Sequence, residues 1–208
     1  MKICGCTSEL DVAIAVAGGA DAVGFIFSDS PRRITLDGAA RAARAALPTT
    51  TLVGVFVNPT PSQLEAAARA LPAMLPQFSG SESPELCRHL GRPYLKVLRV
   101  PQAAPSELEA ALGAELERYP DALPILETSS GRPGGSGRTF EWSGVVRLVA
   151  RAPTLISGGL NPDNVAHCVG LLHPYGVDVR SGVESAGLKD PSKVAAFVEA
   201  AQAQSAAP

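Results

Sequence analysis

Short apolar runs alternate with alanine-rich segments along almost the whole chain. Several apolar runs are continuous rather than interrupted by polar residues, which is typical of parallel strands that are covered on both faces. The alanine-rich segments have the apolar period of a helix. The pattern predicts eight strands, at residues 2–4, 22–27, 52–57, 73–78, 94–100, 123–127, 154–157 and 176–179.

Helix starts are marked by an N-cap residue followed directly by proline, which is favoured at the first helical position. This pair occurs at residues 60–61, 83–84, 161–162 and 190–191. Gln63 adds a capping box to the first of these, and a further box spans Ser106 to Glu109. The first helix is predicted to follow residues 7–8 and to end at the glycine pair 18–19.

Strands that alternate with helices indicate a parallel sheet, and eight right-handed strand–helix units close a (β/α)8 TIM barrel. A chain of 208 residues fits one such domain over residues 1–208, with residues 202–208 expected to be frayed. An open doubly wound sheet is the alternative, but the glycine-rich dinucleotide fingerprint is missing after the first strand.

Two glycine-containing turns predict an anion site. Residues 156–160 read Ile-Ser-Gly-Gly-Leu, and residues 177–184 read Val-Asp-Val-Arg-Ser-Gly-Val-Glu. Each turn follows an apolar run and is expected to lead into a helix, whose first turn has unpaired N–H donors. Glycine lets such donors approach a ligand closely. Side by side, the two turns would form a cup for a phosphate group.

Composition and charge narrow the function classes. The formal net charge of −2 gives no reason to expect nucleic acid or an acidic membrane as a partner. No stretch approaches the roughly 20 apolar residues that span a bilayer. The start of the chain has no room for a signal peptide, so a cytoplasmic protein with four free thiols is expected. Cys4 and Cys6 lack a second ligand pair, so no metal site is predicted.

Functional side chains of such barrels gather where the strands end. Cys4 ends the first predicted strand and Glu127 the sixth, so a thiol and a carboxylate are expected to face each other across the barrel mouth. The pair suits acid–base chemistry if the pKa of the thiol falls and burial raises that of the carboxyl. Taken alone, Cys4 also fits a small buried apolar residue, and Glu127 a solvated charge.

Other segments at this end are compatible with two interpretations. Arg32 and Arg33 form either an exposed turn or a clamp for a carboxylate or phosphate. Asp178 is expected to face inward and to hydrogen-bond the backbone of the phosphate turn. The glycine-rich, basic residues 129–138 are either a flexible connector or a lid.

A series of motifs, in the same order along the chain, resembles the phosphoribosylanthranilate isomerase family of tryptophan biosynthesis. The first reads Lys-Ile-Cys-Gly-x-Thr at residues 2–7, and the last is the second glycine turn. Their number and order make the resemblance specific over nearly the whole chain. The motifs lie at residues 2–7, 19–27, 30–34, 53–58, 134–142, 157–162 and 178–184.

The resemblance implies a cofactor-free Amadori rearrangement of N-(5-phosphoribosyl)anthranilate to 1-(2-carboxyphenylamino)-1-deoxyribulose 5-phosphate. In the family a carboxylic acid protonates the sugar ring oxygen, and a cysteine then removes the C2 proton. Carried over by position, Cys4 is the general base, Glu127 stands at the acid, and Arg32 holds the anthranilate carboxylate. The residues expected at the phosphate are Gly158, Gly159, Asp178, Ser181 and Gly182. The fold is compatible with both a monomer and a homodimer.

Three residues depart from the family pattern. Glu127 stands where the family has Asp, Ser79 where it has His, and Arg180 where it has Ser. One extra methylene displaces a carboxyl by about 1 Å, and a displacement of that size can reduce a rate about a hundredfold.

Related phosphosugar barrels offer competing interpretations. This chain resembles three of them: the histidine-pathway isomerase, the dual histidine/tryptophan isomerase and the α subunit of tryptophan synthase. All three use carboxylates for their chemistry, so a cysteine at position 4 argues against each of them. A non-catalytic or altered-specificity phosphosugar-binding barrel is a further alternative, because of Glu127 and Ser79.

Overall fold

The computed structural model describes residues 1–101, 105–128 and 139–205, and the side chains of these ranges except at 105, 106 and 205. Eight parallel strands form a closed barrel in which each pairs with the next and the last with the first. This confirms the predicted fold class, and every predicted strand overlaps an observed one. The strands are β1 Lys2–Cys4, β2 Ala22–Ile26, β3 Thr51–Phe56, β4 Leu75–Phe78, β5 Tyr94–Val100, β6 Ala122–Thr128, β7 Leu155–Ser157 and β8 Gly176–Val179.

A helix follows each strand, and two of these helices are single turns. Short 3-10 turns occur at residues 43–45, 142–145 and 181–183. The helices are α1 Glu9–Ala17, α2 Leu36–Ala42, α3 Pro61–Ala70, α4 Pro84–Cys87, α5 Pro105–Arg118, α6 Val146–Val149, α7 Val165–Leu172 and α8 Pro191–Ser205.

Most helix starts lie where the caps predict them. The side chains of Ser8, Thr60 and Ser83 each accept a hydrogen bond from the backbone N–H three residues further on. Two starts differ from the prediction. Asn161 Oδ1 accepts from the backbone of residues 163 and 164, which makes a turn, so α7 begins only at Val165. Helix α5 begins at residue 105, before the predicted cap at 106.

The two-residue period of the strands separates two apolar layers. One alternate set faces the helices and includes the fully buried Phe25, Leu126 and Ile156. The other set fills the barrel interior, as closed eight-stranded barrels require. The interior set consists of Cys4, Ile26, Val53, Val55, Leu95, Val97, Ile125 and Leu155.

A small hairpin lies between β8 and α8. It pairs β9 Glu184–Ser185 with β10 Leu188–Lys189, and its turn has positive φ angles at Ala186 (50°) and Gly187 (82°). The expectation that a helix directly follows the second glycine turn is therefore wrong, because a 3-10 turn and this hairpin intervene.

The C-terminal helix reaches further than the sequence suggested. Residues 202–205, expected to be frayed, continue α8, whereas residues 206–208 lie outside the described residues. Across the part of the chain that the structure describes, no helix has the length and apolar character needed to cross a membrane.

Candidate active site

Five polar side chains form a belt inside the barrel. Four of them lie near the carboxyl ends of their strands, and the fifth, Lys2, begins β1. The register pairs Arg99 with Glu127, Glu127 with Ser157, Ser157 with Asp178, and Asp178 with Lys2. Neighbouring strands lie about 4.8 Å apart, so opposite charges from β5, β6, β8 and β1 come into contact.

A cavity opens at this belt and brings together most of the residues predicted from the sequence. Gln77, Ser79, Arg99 and Arg180 also line it, so it contains both cationic and hydrogen-bonding groups. The predicted residues that line the cavity are Cys4, Glu127, Gly158, Gly159, Asp178, Ser181 and Gly182.

Cys4 lies two residues after Lys2 on the same face of β1. A Cβ at Gly24 of β2 would lie 2.8 Å from Cys4 Sγ and 3.3 Å from Lys2 Cε, so both side chains pack against this glycine. Burial raises the pKa of the Cys4 thiol, and the Lys2 ammonium offsets part of the rise. The direction is opposite to the lowered pKa that the sequence argument required, because desolvation outweighs the nearby positive charge.

Asp178 holds the Lys2 ammonium beneath this thiol. Lys2 Nζ donates to Asp178 Oδ1 at 2.7 Å, and Ser157 Oγ donates to Asp178 Oδ2 at 3.3 Å. Burial lowers the pKa of Lys2, but the neighbouring Asp178 and Cys4 raise it by more, so the amine stays charged. The partners of the Asp178 carboxylate are therefore side chains, and not the backbone that the sequence analysis expected.

Glu127 of β6 forms an ion pair with Arg99 of β5, and Arg99 Nη2 also donates to the backbone oxygen of Ser79 at 3.4 Å. Burial raises the pKa of the Glu127 carboxyl, whereas Arg99 opposes the rise and Asp178 adds to it. The net direction is upward, which is the direction that a general acid needs near neutral pH.

The two glycine turns lie directly against each other. A Cβ at Gly182 would lie 1.9 Å from the backbone oxygen of Leu160, so only glycine fits where the second turn crosses the first. Gly158 and Gly159 both have positive φ angles, 92° and 69°. The first turn is fixed from behind, because Asn164 Nδ2 donates to the Gly159 oxygen at 3.0 Å.

Arg32 lies beside this cavity and does not line it. Its Nη2 pairs with Glu184 Oε2, and Lys189 Nζ donates to Glu184 Oε1 at 2.9 Å. The hairpin β9–β10 therefore holds the guanidinium that the resemblance assigns to the anthranilate carboxylate. Arg32 Nε is buried and has no hydrogen-bond partner within the described residues.

All four cysteines are free, as predicted, and all four are buried. Among the residues that the structure describes, no group of three or more His, Cys, Asp or Glu side chains is placed to hold a metal ion. The absence of a cofactor is implied by the resemblance and stays a prediction.

Residues 1–200 match the family of N-(5'-phosphoribosyl)anthranilate (PRA) isomerases. The chain is 43% identical over 204 residues to the N-(5'-phosphoribosyl)anthranilate isomerase of Desulforudis audaxviator, covering 97% of both chains. The chain belongs to the phosphoribosylanthranilate isomerase family. It is therefore an enzyme, an isomerase of tryptophan biosynthesis.

Solved structures of phosphoribosylanthranilate isomerases share the barrel. The enzyme from Thermotoga maritima matches with a TM-score of 0.84 at 36% identity, over 97% of this chain and 98% of that one. A second structure matches with a TM-score of 0.80 at 34% identity, over 97% of each chain. That protein is in complex with reduced 1-(o-carboxyphenylamino)-1-deoxyribulose 5-phosphate.

Sequence reasoning missed two side chains of the polar belt at this cavity, Lys2 and Arg99. A signal for each was present, because strand side chains alternate between faces. Lys2 shares the inward face of Cys4, and Arg99 shares that of Val97, so both had to point into the barrel. Their ion-pair partners, by contrast, depend on the strand register.

Proposed function

We propose that this enzyme catalyses the Amadori rearrangement of N-(5-phosphoribosyl)anthranilate, with Cys4 as general base and Glu127 as general acid. The observation that carries the proposal is that the thiol, the carboxyl and both glycine turns line one cavity. The ligand of the related solved structure is a reduced form of the expected product, which supports the same substrate class here.

The substrate phosphate binds at the two glycine turns. Backbone N–H groups of Gly159, Ser181 and Gly182 are its donors, and Arg180 adds a positive charge at the same turn. Buried Gln77 Oε1 lines the cavity and has no hydrogen-bond partner within the described residues. It can therefore accept a hydrogen bond from a sugar hydroxyl.

Glu127 starts the reaction from its protonated form. Its proton moves to the ribose ring oxygen, the C1–O bond breaks, and the nitrogen lone pair forms a C=N bond at C1. The raised pKa of Glu127 supports this role, because a buried carboxyl keeps its proton nearer to neutral pH.

Cys4 completes the isomerisation as its thiolate. The sulfur takes the C2 proton, the C–H electrons form a C1=C2 bond, and the C=N electrons return to nitrogen. The resulting enolamine tautomerises to the ketone. Lys2 supports this step, since its ammonium lies beside the sulfur and favours the negative charge.

A direct assay tests this function against a non-catalytic phosphosugar-binding barrel. Freshly prepared N-(5-phosphoribosyl)anthranilate is added to the enzyme, and the loss of anthranilate-type fluorescence is followed. We expect turnover that depends on enzyme concentration. Tight binding of the substrate without turnover would favour the non-catalytic barrel, a possibility that Glu127 keeps open.

Replacing Gly182 by Ala should raise KM for the phosphorylated substrate at least tenfold. The new Cβ would lie 1.9 Å from the Leu160 oxygen, so the second turn has to move away from the first. Gly113→Ala in α5 is the matched control, because a Cβ at Gly113 meets nothing within 4 Å and alanine favours a helix. An unchanged KM in Gly182→Ala would place the phosphate elsewhere.

The pH profile of kcat/KM should be a broad bell. The active form has Glu127 protonated and Cys4 ionised, so the pair carries one proton in total. The singly protonated pair is populated between the two pKa values. Activity therefore falls below the pKa of Glu127, where both groups are protonated, and above the pKa of Cys4, where neither is. Both values are raised, from 4.5 and 9.0, so the acid limb lies above pH 4.5 and the alkaline limb above pH 9.0. Arg99, Asp178, Arg180 and Lys2 face Glu127, and Lys2, Asp178 and Lys189 face Cys4. An alkaline limb below pH 8 would contradict the assignment.

A further inference from the structure

One guanidinium at the cavity has no counter-ion among the described residues. Arg180 lines the cavity and is partly buried, but its side chain forms no hydrogen bond or ion pair with the part of the chain that the structure describes. Arg32 and Arg99, by contrast, pair with Glu184 and Glu127. Burying part of a charge without a partner costs free energy, so a cavity that holds an unpaired cation is suited to an anionic ligand.

The Arg180 side chain runs from the second glycine turn across the end of β1. A Cβ at Gly5 would lie 3.2 Å from both Cγ and Cδ of Arg180, so the glycine leaves room for this stem. The same Cβ would lie 3.4 Å from Cβ of Arg32. Arg180 and Arg32 therefore lie against one residue, and the stem of Arg180 approaches the loop that carries Arg32.

The charge of Arg180 acts inside the cavity. Burial raises the pKa of Glu127, and Arg180 is among the cations that oppose the rise. The guanidinium is therefore close enough to interact with a ligand that reaches Glu127.

The surroundings of Arg180 have an excess of positive charge. Lys189 Nζ donates to the backbone oxygen of Arg180 at 3.2 Å and to Glu184 Oε1 at 2.9 Å. Glu184 also pairs with Arg32, so one carboxylate serves two cations and Arg180 is a third. Among these four described side chains, three positive charges face one negative charge. The excess attracts an anion to this side of the cavity.

The proposed substrate has two anionic groups, and this side of the cavity fits its carboxylate. In the proposed reaction the phosphate binds backbone N–H groups of the two glycine turns, whereas the resemblance assigns the anthranilate carboxylate to Arg32. Because Arg180 extends toward Arg32, its guanidinium can reach a carboxylate that is bound there. Serine, which the family pattern has at position 180, carries no charge and lacks the length.

We propose that Arg180 is a second cationic contact for the anthranilate carboxylate, beside Arg32, and thereby a specificity residue of this chain. A planar guanidinium donates parallel N–H bonds to a carboxylate, so two arginines can hold both of its oxygens. Because the aromatic carboxylate is that of the proposed substrate, this inference rests on the proposed function.

Calorimetry with two stable ligands tests this role. One is reduced 1-(o-carboxyphenylamino)-1-deoxyribulose 5-phosphate, and the other is the same compound without the ring carboxylate. Arg180→Ser, which introduces the residue of the family pattern, should weaken the first ligand about 10- to 100-fold, the range for a lost charge-assisted hydrogen bond. The same variant should change binding of the second ligand less than threefold.

Arg69→Ser is the control for this experiment. Arg69 of α3 is 73% exposed, and its acidic partner lies 3.9 Å away. This variant should bind both ligands as the unaltered enzyme does.

Two further variants sharpen the test. Lysine keeps the charge but lacks the planar fork, so Arg180→Lys should bind the first ligand more tightly than Arg180→Ser does. In the double variant Arg32→Gln/Arg180→Ser both contacts to the carboxylate are gone, so the first ligand should no longer bind more tightly than the second.

Two results would overturn the inference. An equal loss of both ligands in Arg180→Ser would place the guanidinium at the phosphate that the two ligands share. Unchanged binding of the first ligand in Arg180→Ser would show that Arg180 does not contact the carboxylate. The proposed function fails separately, if the unaltered enzyme binds neither ligand or does not turn over the substrate.

Discussion

Replacing Cys4 by Ala should lower kcat by about a thousandfold, because a positioned general base typically contributes 10²- to 10⁴-fold. Among the described residues that line the cavity, no other group of β1 can take its place. The thiol is the group on β1 at the cavity, and its neighbours on that strand face are Lys2 and the glycine of β2. Lys2 cannot replace it, since its raised pKa keeps the amine protonated. Binding of the reduced product analogue should change less than threefold, since the glycine turns are untouched.

Cys6→Ala is the matched control for this experiment. Cys6 is also a buried cysteine near the start of the chain, but its Sγ contacts the backbone oxygen of Ile3 and it does not line the cavity. We expect Cys6→Ala to keep its kcat within threefold. Normal turnover by Cys4→Ala, with binding retained, would show that another group removes the C2 proton.

Replacing Glu127 by Gln should lower kcat by about 10²- to 10⁴-fold, the range expected for the loss of a general acid. Glutamine has nearly the same shape, so the cavity is preserved, but its amide cannot deliver the proton to the ring oxygen. KM should change much less than kcat, because the phosphate and the ring carboxylate bind elsewhere. Steady-state kinetics with the fluorescent substrate measure both constants.

Two further variants sharpen this test. Glu115→Gln removes a carboxylate that pairs with Arg118 on the surface of α5, so it should leave kcat unchanged. Glu127→Asp restores the residue that the resemblance implies at this position, and we expect equal or higher kcat. Full activity in Glu127→Gln would mean that the acid lies elsewhere in the cavity.

The barrel could be predicted from the sequence because its signals are local. Continuous apolar runs such as residues 94–100 identify buried parallel strands, and the Thr60–Gln63 capping box fixes the start of α3. Prediction failed where a polar side chain has two possible uses. Asn161 caps a turn rather than the helix, so α7 begins later than expected.

The site was only partly predictable, for a physical reason. Cys4 and Glu127 were found because each ends a predicted strand, and strand ends meet at one edge of the barrel. Ion pairs between strands depend on register, which places Glu127 opposite Arg99 and Asp178 opposite Lys2. The pKa of Cys4 was not predictable from its neighbours in sequence, because burial determines its direction. Residues 129–138, interpreted as connector or lid, lie outside the described residues.

The central claim is that the Cys4 sulfur and the Glu127 carboxyl act on the same sugar, whose phosphate is bound at the two glycine turns. A crystal structure with reduced 1-(o-carboxyphenylamino)-1-deoxyribulose 5-phosphate tests it most directly. We predict the phosphate at the two glycine turns, with C2 of the ligand within roughly 3.5 Å of Cys4 Sγ, the distance of a near-attack arrangement. A ligand whose phosphate lies away from those turns, or whose C2 faces neither Cys4 nor Glu127, would contradict the account.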